Sequence, residues 1–244
     1  EFYPEPTLPT AVDAGINFQR NVLNTTEWDQ FTTRADFVEN DTSQWFYRYS
    51  WGGEAILDGG TLPIQDERVT TDVQQHVLSN TRTFSPTLVN ELRLGVSLFD
   101  NDKLTKFNGI REISNELGIL GMPIPSPLAS GSPNVNVGGN NDFSGWGEST
   151  EGPFLNNNRN YQIVNNTSWI RGNHTLKFGI DISESRYAQV GNQFARGQFN
   201  ASQLQTADPN NIGTTGNGFA GFMTGWLNEA TRAGGLPNVQ FRRK

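Results

Sequence analysis

The sequence predicts an all-β fold: a segment of an antiparallel, up-and-down transmembrane β-barrel. Several segments alternate apolar and polar side chains with a period of two, which is typical of strands with one apolar face. Tight turns and long polar loops also follow one another in strict rotation along the chain. Successive connections of an up-and-down sheet lie at opposite ends. The short ones therefore gather at one end and the long ones at the other, as in membrane-spanning barrels.

The composition is the third observation that favours this fold class. Hydrophobic residues make up 34% of the 244 residues, below the roughly 45–50% of soluble globular domains, a figure that also counts glycine. A fold that places apolar side chains on just one face of each strand explains the low value. No stretch approaches the roughly 18 consecutive apolar residues of a membrane-spanning helix, whereas a barrel strand crosses with roughly 9–11 alternating residues.

The first two strands are predicted at residues 28–38 and 44–51, with the polar turn 39–43 between them. In the first strand the odd-numbered residues from Phe31 to Phe37 share one face. The second strand has the densest group of aromatic residues in the chain, namely Trp45, Phe46, Tyr47, Tyr49 and Trp51.

A weaker third strand is predicted at residues 73–83 and the clearest strand of all at residues 88–99. The turn 84–87 between them contains Pro86, which cannot donate to a strand ladder. In the fourth strand, apolar residues alternate with residues that include Glu91 and Arg93.

The fifth and sixth strands are predicted at residues 161–170 and 175–187. The turn 171–174 joins them through Gly172-Asn173, two residues suited to positive φ. A short seventh strand is expected near residues 195–200, and an eighth begins near Val239.

The long loops are predicted at residues 52–72, at 101–160 and after residue 187. Short helices are expected within them, at residues 110–117 and 216–227. A structureless loop as long as 101–160 is unusual in a compact soluble domain, but it is ordinary at the outer end of a barrel.

The order of several motifs resembles one protein family. These motifs are residues 29–36 (DQFTTRAD), 45–50 (WFYRYS), 83–95 (TFSPTLVNELRLG), 168–181 (SWIRGNHTLKFGID) and 216–225 (GNGFAGFMTG). Together they resemble the barrel region of TonB-dependent outer-membrane receptors, particularly the Oar-like branch abundant in Acidobacteria and their relatives. The resemblance covers most of residues 20–235.

The resemblance implies a segment of a large barrel in the bacterial outer membrane, with substrate uptake as its role. In that family an amino-terminal plug fills the lumen, and a short segment couples to the TonB energy system. Neither is recognisable here. We therefore interpret the chain as an irregular lead-in at residues 1–27 and a partial β-barrel region at residues 28–244, with no plug domain.

The alternation assigns the two faces of the expected barrel wall. The lumen face would carry charged residues, among them Glu91, Arg93, Lys177 and Asp181. Burying Arg or Lys at mid-bilayer would cost about 2–4 kcal/mol each. The lipid face would carry the apolar residues of the fourth and sixth strands: Leu88, Leu92, Leu94, Val96, Leu98, Leu176, Phe178, Ile180 and Ile182.

A secreted soluble β-sandwich that binds glycans or a protein partner is the alternative, because it alternates in the same way. An enzyme is not expected, since the two histidines, His76 and His174, lack ligand spacing and no nucleophile or phosphate-loop motif occurs. The lack of cysteine excludes disulfides and Cys-ligated metal sites, and the net charge of −7 argues against a nucleic-acid partner. Residues 100–102 and 140–142 could supply oxygen ligands for calcium, but they match no EF-hand loop, and we interpret them as solvated loop residues. We therefore expect no cofactor and no metal site.

The long loops 52–72 and 101–160 would form the outer mouth for a ligand. Within them, Asp142, Phe143 and Trp146 are the candidate ligand-binding residues. The resemblance implies ligands such as iron chelates, cobalamin, glycans or peptides. The expected partners are outer-membrane lipid, this unknown small ligand, and the TonB system through the missing amino-terminal region.

Overall fold

The fold is a single large antiparallel sheet with a compact group of loops at one end. The computed structural model describes residues 3–8, 17–122, 126–139, 143–235 and 237–243. The strands of the large sheet are β1 (Thr25–Asn40), β2 (Ser43–Asp58), β3 (Glu67–Ser85), β4 (Leu88–Thr105), β6 (Phe154–Arg171), β7 (His174–Gly191) and β10 (Asn238–Arg243). They are hydrogen-bonded in the order β1-β2-β3-β4-β6-β7-β10.

Three short strands form a second sheet, at the end of the molecule where the long loops lie. These are β5 (Asn134–Val137), β8 (Gln198–Ala201) and β9 (Glu229–Thr231), in the order β5-β8-β9. Two short helices, α1 (Ile113–Glu116) and α2 (Gly218–Met223), lie in the same connections. None of the helices in the described part of the chain is long and apolar enough to cross a membrane.

The rotation of short and long connections is confirmed. Tight turns join β1 to β2, β3 to β4 and β6 to β7, all at one end of the sheet. The long connections, residues 59–66, 106–153 and 192–237, all lie at the other end. The predicted class, an antiparallel up-and-down barrel segment, is therefore what the chain forms.

The predicted strand bounds were too short at the long-loop end. Strands β2 and β3 extend to Asp58 and back to Glu67, so most of the predicted loop 52–72 is strand. The two ends of the predicted loop 101–160 are likewise strand, because β4 continues to Thr105 and β6 begins at Phe154. Near this end polar and apolar residues occur on both faces of the strands, as Ile56 and Leu57 show in β2, so the alternation that reveals a strand is lost. The lead-in is also shorter than predicted, because β1 begins at Thr25.

The predicted seventh strand belongs to the small sheet. It forms at Gln198–Ala201 and pairs with β5 in parallel and with β9 in antiparallel orientation. The predicted eighth strand is confirmed as β10, which pairs with β7. The helix predicted at residues 110–117 is a single turn, α1.

The register of the large sheet separates an apolar face from a polar face. Leu94, Ile163 and Ile182 are direct cross-strand neighbours, and the adjacent row, Arg93, Val164 and Asp181, points to the opposite side. On β4 the apolar row runs from Leu88 to Leu98, about 33 Å at about 3.3 Å per residue. At the tilt of about 40° usual in barrels this becomes a band about 25 Å tall, the height of a lipid-facing band.

The apolar face is open, and this is incompatible with the sandwich alternative. Ile163 is 46% exposed, and Ile180 and Ile182 are each 59% exposed. Among the described residues, the buried apolar side chains all lie outside the large sheet: Leu62, Ile64, Ile113, Ala129, Val135, Ala195 and Ala201. A soluble sandwich would seal the leucines and isoleucines of the large sheet between two stacked sheets.

Among the polar residues on the apolar face, which include His76 and Asn80 of β3, one pair of amides forms reciprocal hydrogen bonds. The Asn90 side-chain amide donates to Asn165 Oδ1 at 2.9 Å, and the Asn165 amide donates back to Asn90 Oδ1 at 3.0 Å. Asn90 also donates to Thr167 Oγ1 at 2.8 Å. Hydrogen bonds of this kind allow polar groups to face an apolar medium, which would otherwise leave them unpaired.

We expect Asn90→Ala to lower the free energy of unfolding by about 1–3 kcal/mol, because the Asn165 amide is left unpaired. The double variant Asn90→Leu/Asn165→Leu should recover most of that loss, since it removes both polar groups together. The single variants Asn90→Leu and Asn165→Leu, this double variant and the unaltered protein form a double-mutant cycle in urea. Additive losses in the cycle would contradict the reciprocal bond.

Candidate functional site

The long-loop end carries a compact group of segments that we call the loop cap. It consists of residues 17–24, 59–66, 106–122, 126–139, 143–153 and 192–235. Its apolar centre is Leu62, Ile64 and Ile113, against which Phe18, Phe107 and Trp146 pack. The lead-in is tied to the next connection because Arg20 forms an ion pair with Asp66 and donates to Gly60 O at 3.1 Å.

A buried ion pair holds the middle of the loop cap together. Glu148 is 0% exposed, and its Oε2 atom lies 3.5 Å from Nε of Arg196, whose side chain is 3% exposed. Glu148 also accepts backbone N–H bonds from Phe107 at 2.6 Å and Ser132 at 2.7 Å. Arg196 donates to Ser149 O at 2.6 Å. Two connections, 106–153 and 192–237, are thus joined through one carboxylate and one guanidinium, and the carboxylate also ties together three distant parts of the first.

Burial dominates the electrostatics of this ion pair. It raises the pKa of the Glu148 carboxyl above its usual value, while Arg196 and the two backbone N–H groups favour the ionised form. Burial also lowers the pKa of the Arg196 guanidinium. Gly131 makes room for the carboxylate, because a Cβ there would lie 2.1 Å from Glu148 Oε2 and the backbone has φ +137.

The predicted ligand-binding residues lie in the loop cap but do not form one cluster. Trp146 packs on the apolar centre and exchanges two backbone hydrogen bonds with Val135. Phe143 lies in an aromatic stack, with ring centroids 5.0 Å from Tyr3 and 4.7 Å from Phe219. Asp142 lies outside the described residues. Their role in binding stays a prediction.

A cleft opens beside these residues, between the lead-in and the loops. Its volume is about 400 Å³, within the range of small-ligand sites. Its lining includes Tyr3, Asn17, Thr61, Gln65 and Ser144. The described residues contain no group of three or more His, Asp or Glu side chains placed to hold a metal ion.

A second depression lies on the polar face of the large sheet, near the long-loop end. Three rows of cross-strand neighbours cross β1, β2 and β3, and the middle position of the nine is Gly52. The rows are Trp28–Glu54–Thr71, Gln30–Gly52–Val73 and Thr32–Ser50–Gln75. All nine residues line a depression of about 380 Å³, which we call the Gly52 depression.

The lack of a side chain at Gly52 is what opens this depression. A Cβ built there would meet nothing closer than 3.9 Å, so the space above the glycine is free. Trp28, 61% exposed, stands at one edge. The Thr32 hydroxyl donates to Ser50 Oγ at 3.0 Å. The depression thus offers one aromatic surface and a ring of amide, hydroxyl and carboxylate groups.

Sequence reasoning missed the Gly52 depression because it assigned Gly52 and Gly53 to a loop. Both are strand residues, and they face opposite sides of the sheet. A Cβ on Gly53 would lie 2.8 Å from the Trp51 ring, so that glycine serves close packing. Glycine inside a strand often marks a close backbone or ligand approach, and that was the available signal.

The fold defines a class of protein: one wall of an antiparallel barrel, with an apolar band outside and a polar face inside. The chain belongs to the outer membrane beta barrel domain family, whose sequence model matches residues 1–244. The protein is therefore an outer-membrane protein. Neither a curated protein nor a solved structure matches the chain.

Membership of this family identifies the environment of each face and each end of the sheet. The apolar face is the lipid face, and the polar face, with Arg93 and Asp181, is the lumen face. Short turns are periplasmic and long loops lie outside the cell in such barrels. The loop cap is thus at the outer surface, and the Gly52 depression opens into the lumen below it.

Proposed function

We propose that the chain is part of the barrel of a TonB-dependent outer-membrane receptor, which takes up a neutral, hydroxyl-rich ligand. The Gly52 depression is the observation that carries this proposal. A passive pore needs only a wide polar lumen, whereas a receptor needs a site that holds its ligand on the way in. The proposed role is transport and involves no catalysis.

The side chains of the Gly52 depression favour a particular ligand class. Trp28 offers a face on which the apolar side of a sugar ring can stack, and Gln30, Thr71 and Gln75 offer hydrogen bonds to hydroxyl groups. The only charged residue among the nine in the three rows is Glu54. A negatively charged iron chelate would be repelled there, so a saccharide fits the site better.

The extent of the sheet also supports a large barrel. Seven strands are hydrogen-bonded in a row, and β1 and β10 each pair with only one neighbour among the described residues. Unpaired strand edges are not stable in hydrocarbon. A wall that is still open after seven strands fits the wide, plugged barrels of energised transporters, in agreement with the order of motifs in the sequence.

The ligand proposal is tested with Gly52→Val in the protein expressed from its complete reading frame. Valine suits a strand and has room at this position, but its methyl groups fill the depression. We expect at least about tenfold weaker binding of neutral oligosaccharides, or about 1.4 kcal/mol, by titration calorimetry with a panel of glucose- and N-acetylglucosamine-based oligomers.

Gly95→Val is the matched control, because Gly95 also lies on the lumen face and a Cβ there meets nothing closer than 3.9 Å. It should leave binding unchanged. Equal binding by both variants, or no binding of any oligosaccharide by the unaltered protein, would refute the saccharide proposal.

Energised uptake is tested separately. Cells that carry the protein should take up a bound oligosaccharide only while the proton gradient is intact and TonB is present. Liposomes that contain the purified protein should not swell in isotonic sugar solutions. Uptake that survives an uncoupler, together with liposome swelling, would identify a passive pore instead.

A further inference from the structure

Three arginines stand side by side on the lipid face near its outer edge. Arg159, Arg186 and Arg242 are direct cross-strand neighbours on β6, β7 and β10. Arg159 is also paired with Leu98, the last residue of the apolar row on β4. Tyr161 is the next residue on the same face toward the membrane. The arginines therefore lie where the apolar band ends and lipid headgroups begin.

Such a row of like charges is unfavourable unless something offsets it, because directly opposed like charges destabilise a sheet. Two carboxylates offset part of the charge. Glu184 contacts Arg186 at 2.5 Å and Arg242 at 2.7 Å, and Asp100 contacts Arg159 at 2.8 Å. Three guanidinium groups thus share two contacting carboxylates, in a chain whose net charge is −7.

A depression of about 590 Å³ lies beside these guanidinium groups. The next row toward the outside consists of Asn157, Ala188 and Gln240, and all three line it together with the arginines. The short side chain of Ala188 leaves the centre open between two amides. Guanidinium forks and amide N–H groups around an open centre are donors suited to phosphate oxygens.

We propose that this depression binds the phosphate groups of an anionic lipid of the outer leaflet. The lipid's chains would lie along the apolar face below, where Ile163 and Ile182 are exposed. The proposal rests on the outer-membrane location of the protein and is independent of its role in uptake. A lipid is favoured over a free anion because the site faces the membrane at headgroup depth.

The test measures lipid binding by the purified full-length protein in a neutral detergent, with native mass spectrometry. The probe is lipid A with its two phosphates, compared with the same lipid after the phosphates are removed. Each basic side chain near an anionic lipid contributes about 1 kcal/mol. Arg186→Gln/Arg242→Gln should therefore weaken binding of the phosphorylated probe about 30-fold.

Arg93→Gln is the matched control. Arg93 lies on the lumen face, its side chain is as exposed as that of Arg186 at 52%, and it pairs with Glu91 two residues away as Arg186 pairs with Glu184. It should leave lipid binding unchanged. A second variant, Ala188→Leu, fills the depression without removing charge and should also weaken binding.

Three outcomes would overturn the proposal. The double arginine variant, shown to be folded by its heat-modified gel mobility, could retain full affinity for lipid A. The lumen control could lose as much affinity as the double variant. Inorganic phosphate at millimolar concentration could displace the lipid completely, which would indicate a free-anion site.

Discussion

Removal of the Glu148 carboxylate is expected to destabilise the loop cap by about 3–5 kcal/mol, the usual cost of breaking a buried ion pair from one side. In Glu148→Ala the Arg196 guanidinium stays buried without its counter-ion, and its side chain is only 3% exposed. The backbone N–H groups of Phe107 and Ser132 lose their acceptor at the same time. Thr105 of β4 and Glu67 of β3, at the outer end of the wall, also interact with this pair, but the strand ladders do not depend on it, so the wall should remain folded.

Limited proteolysis of the membrane-inserted protein measures this effect. The cap segments of Glu148→Ala should be cleaved at least about a hundredfold faster, since 3 kcal/mol is more than two factors of ten, while the wall stays protected. Glu151→Ala is the control, because the Glu151 side chain is 57% exposed and pairs only at the surface with Lys103. It should change stability by about 0–1 kcal/mol.

A second variant separates the lost ion pair from a general loss of packing. Glu148→Ala/Arg196→Met removes both charges, and replacing a buried ion pair as a whole by apolar groups is often neutral. We expect it to recover part of the protease resistance. A cap that resists protease equally well in Glu148→Ala and in the unaltered protein would show that the ion pair does not hold it together.

The barrel wall could be predicted because each strand carries its own signal. In β7, and in β4 apart from Asn90, apolar residues repeat at every second position through the lipid-facing band, and the short turns bring these rows into register. The signal ends where the strands leave the membrane. Around Asp72 and Asp100, which share a row of the lipid face, polar side chains occur on both sides of the strand. A two-residue period is then invisible in sequence.

The loop cap could not be predicted because its contacts join residues that are far apart in the chain. Phe18, Leu62 and Ile113 meet in one apolar cluster, although they come from three separate segments of the chain, and the short helix predicted around Ile113 did not indicate these partners. Glu148 and Arg196 are likewise isolated charges in sequence. Trp146 could be singled out as an aromatic residue in a polar loop, but its packing on the apolar centre became visible only in three dimensions.

The Gly52 depression and the arginine row depend on register, which sequence alone leaves open. A shift of one residue between β1 and β2 would move Trp28 away from Glu54 and put side chains of opposite faces beside each other. The three arginines are separated by 27 and 56 positions along the chain, as the difference between their numbers shows. Only the pairing of β6, β7 and β10 makes them neighbours.

The assignment of the lipid and lumen faces predicts very different stability effects for a charged substitution at two adjacent residues of β6. Ile163 lies in the middle of the apolar band, between Leu94 and Ile182. Its neighbour Val164 lies on the lumen face, between Arg93 and Asp181. Both are β-branched and apolar, so composition alone does not distinguish them. In a membrane, a charged side chain should be far more destabilising at position 163 than at position 164.

We expect Ile163→Arg to lower the free energy of unfolding from a bilayer by about 2–4 kcal/mol, the cost of arginine on the lipid face at mid-bilayer. Val164→Arg should cost far less, because its guanidinium would reach the watery lumen next to the Asp181 carboxylate. Reversible unfolding of the full-length protein from lipid vesicles in guanidinium chloride measures both values.

The comparison between these two variants shows which face of the sheet contacts lipid, even if both variants are somewhat destabilised. An arginine at position 163 has no way to reach water except along the barrel surface, and that distance is greatest in the middle of the band. In detergent micelles, which are thinner and more deformable than a bilayer, the difference between the variants should shrink. Equal losses in vesicles, or a larger loss for Val164→Arg, would mean that the apolar rows of β4, β6 and β7 do not face lipid.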